Sequence, residues 1–349
     1  MPPRFGPVLG LIALLLFVAA HPAGATTALP KVQSLHPTTV KLVGVHGPIG
    51  FDDIRYLSRL QRIVVPAGRT GKLVLINPAN GKQRVIPVLK PVAAHPGGGD
   101  LGTTSVAYAD GYFIASDHQD QQLVVANART GAVVDRVPLA AGPDYVRNVA
   151  PLHEIWVSEP RAAQIQRFAI HTGPHTLTLS PVGMVAVPKG PESLVIDATN
   201  NRAYTNQWRG KTVAINLRSG RIVAQYANTC HGASGLALAA KRGLLFVGCK
   251  EGRGVALDLD HQGKIVASAP TGHGVDIIAW NPVLAQLAVP AWGSANLTVL
   301  GLGANDRLSV LASGPAEHGS HCVAVAPTTG VIYVCDPHQG TLLRYHIRN

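Results

Sequence analysis

Seven short polar stretches hold most of the side chains in this sequence that could do chemistry. They are HGPIGFDD (46–53), HPGGGDLG (95–102), AGPDYVR (141–147), PKGPES (188–193), NTCHGAS (228–234), TGHGVD (271–276) and GPAEHGSH (314–321). Each brings a carboxylate, an imidazole, a phenol or a guanidinium: Asp53, Asp100, Tyr145, Arg147, Glu192, His231, Asp276 and His321. Trp208 and Trp292, on other short polar segments, add flat faces on which a planar ligand could stack. If the fold brings these stretches together, they make a ligand-binding surface of convergent polar groups. Imidazoles and carboxylates are also ligands for a divalent metal with an open coordination position. His231, His273, Asp276, His318 and His321, with Asp53 opposite, are the candidate metal set. Each stretch is also rich in turn formers, so any one of these residues can equally serve its own loop.

The elements that must position them are strands. Ser193–Tyr226 reads as four antiparallel strands: Ser193–Ile196, Arg202–Asn206, Thr212–Leu217 and Arg221–Tyr226. The strands are short and rich in β-branched residues, and Asn, Asp and Gly bound them. The pattern recurs along the chain. Second strands end at Pro66, Ser116, Ser158, Asn206, Cys249, Pro290 and Cys335, at intervals of 41 to 50 residues. Third strands run into turns such as NPANGK, NARTGA, NLRSGR and DHQGK, where Gly or Asn supplies a positive φ. Blade three has a longer excursion, 171–180, between its third and fourth strands.

Seven four-stranded units of this length predict an all-β fold, a seven-bladed β-propeller of antiparallel blades around an axis. The last unit stops after three strands, whereas Thr39–Val45 is a strand without a unit. Pairing the two closes the ring and removes its open edge. The polar stretches are then the connections between blades, gathered at the mouth of the central channel.

The repeats resemble YncE-like and YVTN-type β-propellers. The stretches that carry the resemblance are VLINPANGK, VVANARTGAVV, PESLVIDATNNRAYT, VAINLRSGRIVA and VAVAPTTGVIYVCD. The tetrapeptides nearest the family's own are Ala203-Tyr204-Thr205-Asn206 and Ile332-Tyr333-Val334-Cys335. The resemblance covers about residues 40–349 and implies a binding propeller outside the cytoplasm, with no particular ligand.

Residues 1–25 read as a secretory signal peptide: a basic start at Arg4, an apolar run from Val8 to Ala20, and a small-residue site at Ala23-Gly24-Ala25. The apolar run is too short to span a bilayer. Residues 26–38 read as a flexible lead-in and 39–349 as a single propeller domain. The expected location is periplasmic or secreted, with no membrane span after cleavage. Four cysteines in such a chain predict disulfides. Cys322 and Cys335 bracket one hairpin of the last unit, and Cys230 and Cys249 the corresponding hairpin of the fifth. The predicted pairs are therefore Cys230–Cys249 and Cys322–Cys335. One zinc site of four cysteines would require the fifth and seventh units to meet.

The formal net charge is +11, but the basic residues are spread through every repeat. Scattered Arg suits a solvated surface better than a nucleic-acid groove. The sequence contains no G-x-S-x-G, H-E-x-x-H, P-loop or C-x-x-C-H motif. The expected function is a monomeric binding or scaffold propeller that holds a small molecule or protein at the channel mouth, with no required cofactor. The alternatives are a metal-assisted hydrolase or lyase with a divalent metal at the central channel, and a binder of polyanions such as nucleic acid or acidic glycans.

Overall fold

A computed structural model describes residues 1–3, 6, 32–93 and 101–347. Its strands all fall in one compact unit that begins at Val32. The apolar run and cleavage site expected within residues 1–25, and Asp100, lie outside the described residues.

The strands form seven sheets. The first blade is Arg55–Leu57, Arg62–Pro66, Lys72–Ile76 and Gln83–Pro87, paired antiparallel in that order. The next five repeat the meander, and in the fourth the strands are Glu192–Asp197, Arg202–Gln207, Lys211–Asn216 and Ile222–Ala227. These bounds differ from those read in the sequence by one residue.

The two middle strands of each blade are packed on both faces by neighbouring blades. Tyr112–Asp117, Leu244–Cys249 and Val331–Asp336 are accordingly buried at every position. Fourth strands lie at the outside of the ring and alternate, as Ile222–Ala227 does between half-buried and exposed. In the third-to-fourth strand turns Asn77, Asn127 and Asn216 accept a hydrogen bond from Gly81, Gly131 and Gly220 at 2.8–2.9 Å. All three glycines sit at φ between 64° and 79°, the left-handed region that a side chain disfavours.

The ring closes as the odd strand count requires. Thr38–Lys41 pairs antiparallel with Thr341–Tyr345, Thr38 opposite Arg344 and Lys41 opposite Thr341. It supplies the outermost strand of blade seven. The closing strand is shorter than the 39–45 expected, since residues 43–44 form a turn. Just before it, Gln33–Ser34 adds a fifth, parallel strand outside Leu308–Pro315 of blade six. Leu35 is buried beside that strand and its N–H donates to Ser313. The stretch read as a lead-in thus contains a short strand.

The excursion of blade three is no separate loop. Gln164–Thr172 and Leu177–Ala186 continue the ladder outward as a long hairpin, with a register shift between Arg167 and Phe168. Leu177 and Leu179 alternate inward along its strand, which gives the extension its own apolar face.

Both disulfides join the expected partners, with Cα–Cα distances of 5.2 Å for Cys230–Cys249 and 5.5 Å for Cys322–Cys335. Among the described residues no helix is long and apolar enough to cross a membrane.

Candidate functional site

First strands line the channel, one from each blade. Two spaces lie along it. One, of about 550 Å³, runs between the first strands of all seven blades. The other, of about 570 Å³, is a basin formed by the loops that enter those strands and the loops between second and third strands. Tyr145 lines both and so stands between them.

The basin has an acidic lining. Asp52, Asp144 and Asp276 come from three inter-blade connections and Glu192 from the first residue of blade four's first strand, and His118, Arg161 and His321 also line the basin. Tyr145 is 3% exposed. Burial, then the charges of Asp144, Asp52, Asp276 and Glu192 in that order, hold its phenol well above the usual value, in the neutral form. The Glu192 carboxyl is pushed up to about 7, by burial first and by the charge of Asp276 second. Lys250 and the indole N–H of Trp208, which donates to Glu192 Oε2 at 3.2 Å, act in the opposite direction. The loop carrying Asp276 is held by Gly235, whose N–H donates to the Asp276 carbonyl at 2.6 Å. A Cβ on Gly235 would fall 2.2 Å from that oxygen.

Of the residues expected at the mouth, Tyr145, Glu192, Asp276 and His321 therefore line one basin. Asp53 and Arg147 lie deeper, on the channel wall, and bind each other. Arg147 Nη1 and Nη2 donate to Asp53 Oδ2 and Oδ1, the second at 3.1 Å. Ser105 Oγ donates to Asp53 Oδ2 at 2.6 Å and accepts from the Val146 N–H at 2.9 Å. Arg147 Nε donates to the Leu194 carbonyl at 2.7 Å. The pair thus joins blades one, two, three and four, and its polar groups are occupied within the protein. Trp208 and Trp292 are 43% and 48% exposed, and neither lines the basin or the channel. Trp292 instead covers the Gly274 turn with its ring, and its backbone N–H donates to the Gly274 carbonyl at 3.0 Å. His231 is exposed, with its backbone N–H on Glu251.

The metal set does not assemble. His231, His273 and His318 are exposed on separate blade connections. Both ring nitrogens of His321 face backbone carbonyls, of Gly319 and, at 2.8 Å, of Phe51. Among the described residues, the only groups of three donors within 4.8 Å each contain a disulfide pair, Cys322–Cys335 or Cys230–Cys249, whose sulfurs are already bonded.

Sequence reasoning missed Asp52, Asp144 and Arg55. The first two sit beside residues that were singled out, and only the ring geometry turns them toward the same space. It also missed a device repeated around the axis. Ser116 and Ser158, near the ends of second strands, accept from the backbone N–H of Ser105 and Tyr145 at the entry to the first strand of the same blade, and Asn206 at the equivalent place in blade four donates to the Ser234 carbonyl of blade five.

No protein-family profile matches the chain, and no curated protein matches it in sequence. Solved structures match its fold. A chain of a mitotic checkpoint complex aligns with a TM-score of 0.71 at 11% identity, over 97% of this chain and 99% of that one. The β-propeller domain of Myceliophteria thermophila Cps50 (Swd1) gives 0.66 at 13% identity, over 89% and 99%. A chain of Kuenenia stuttgartiensis hydrazine synthase gives 0.67 at 12%, over 88% and 97%. At such identities the likeness is one of fold, which many functions share.

Proposed function

We propose that this chain is an extracytoplasmic binding propeller of the YncE-like kind, and that its channel-mouth basin receives a positively charged group of a ligand or partner protein. The observation that carries the reading is the basin itself: about 570 Å³, with four carboxyl groups from the entries to four blades lining one space. A concave site with convergent charge is a default place for recognition, and low-dielectric walls strengthen its field. The two disulfides and the apolar run 8–20 support a location outside the cytoplasm. An acidic mouth on a basic chain also favours a cationic ligand over a polyanion at this face.

The test is calorimetric titration with a tetralysine peptide at low and physiological salt. Binding is expected at low salt, weaker at high salt, and absent in the Glu192→Gln/Asp276→Asn variant. Equal binding by that variant would remove the basin from the reading.

A further inference from the structure

The second space along the axis has the opposite character. Three charged side chains line the channel: Asp53, Arg55 and Arg147. Asp53 and Arg147 neutralise each other in the buried pair described above. Arg55, on the first strand of blade one, is left over. Among the described residues its guanidinium makes no hydrogen bond and no ion pair, although the side chain is half-buried in the channel wall.

A guanidinium removed from bulk water ordinarily finds a carboxylate, a phosphate or a set of carbonyl oxygens, because its five donors are costly to leave unmet. Here burial, then the neighbouring charge of Arg147, lowers the Arg55 pKa to about 10, with Asp53 opposing. Even so lowered, the group is a cation at neutral pH. The space in front of it is about 550 Å³, within the range of small-molecule sites. Tyr56, Tyr108 and Trp280 contribute aromatic surface to the same walls.

We infer that the channel is a binding site for a small organic carboxylate with an apolar or aromatic body, its carboxylate held by the fork of Arg55. A planar carboxylate can take two parallel N–H donors from one guanidinium, which an ammonium cannot offer. The site is separate from the acidic basin beyond Tyr145, and the inference does not depend on what the basin binds.

Benzoate is the probe, read by calorimetry and by melting temperature. Wild-type protein is expected to bind benzoate and to melt higher with it, while benzylamine of the same shape leaves the melting temperature unchanged. Arg55→Gln should weaken benzoate binding by roughly tenfold or more, the loss of a charge-assisted hydrogen-bond pair. Arg55→Lys keeps the charge without the fork and should fall between the two, which holds the test open if the Gln variant does not fold. Met184→Ala, exposed on the outer strand of blade three and lining neither space, should bind benzoate as wild type does. No benzoate binding by wild type at about 10 mM, the range of very weak ligands, would overturn the inference. So would undiminished binding by Arg55→Gln and Arg55→Lys, or an equal response to benzylamine. Inorganic phosphate binding through Arg55 with no benzoate binding would likewise overturn it.

Discussion

Arg147 of blade three grips both carboxylate oxygens of Asp53, at the entry to blade one and 94 residues earlier in the chain. The two side chains are 8% and 3% exposed. Removing one partner leaves the other charged and buried, which typically costs about 3–5 kcal/mol. Arg147→Met is therefore expected to lower unfolding stability by about that much in a denaturant titration. Asp53→Asn/Arg147→Met should cost less than the two single changes added together, since the double variant leaves no lone charge. A single-variant loss below about 1 kcal/mol, the value of a surface ion pair, would show that the pair is not what joins these blades.

The disulfides act within blades. Each links the start of a first strand to the end of the second, closing loops of 19 and 13 residues. In the chain-entropy account each contributes roughly 3 kcal/mol by restricting the unfolded chain. Cys230→Ala/Cys249→Ala and Cys322→Ala/Cys335→Ala should each unfold at lower denaturant concentration than wild type, and a reductant should affect wild type in the same direction. Insensitivity of the melting temperature to reductant and to both double substitutions would exclude this contribution.

Glu192 makes stability depend on pH in an unusual sense. Its carboxyl holds its proton up to about 7 when folded, against 4.5 for an ordinary glutamate. Between those values the folded state binds more protons than the unfolded chain, so this group's contribution falls as pH rises from about 4.5 to 7 and is level on either side. Glu192→Gln should flatten that part of the profile and raise the melting temperature, relative to wild type, above pH 7. An unchanged slope across the window would refute the assignment. A cation entering the basin should release a proton from Glu192, visible as a buffer-dependent heat of binding.

The parts legible in the sequence were those set by local pattern. Middle strands read as apolar runs because both of their faces are covered. The NxxxG turns announced themselves through one glycine each. The disulfides followed from where Cys230, Cys249, Cys322 and Cys335 fall in the repeat. The candidate site was only partly legible because its members meet across blades. Nothing beside Arg147 in the chain marks it as the partner of Asp53, and Arg55 looks like any other scattered arginine. The difference between a guanidinium that joins blades and one that faces an open channel lies in non-local geometry. The histidines misled for the same reason: His231, His273 and His318 recur in the right loops but stay on the outside of them.

The strand that completes the ring joins residues 306 positions apart, Thr38 to Arg344. Thr38 is therefore synthesised 306 residues before the strand it pairs with. Until then six blades can stack while the seventh offers an unpaired edge and Thr38–Lys41 remains without its partner strand. Such long-range pairing slows folding and exposes a strand to other chains in the meantime. Gln33–Ser34, docked on blade six, and Thr38–Lys41, docked on blade seven, act together as a clasp across the seam between those blades. Its fastening marks the passage from an aggregation-prone open arc to a ring with no free end.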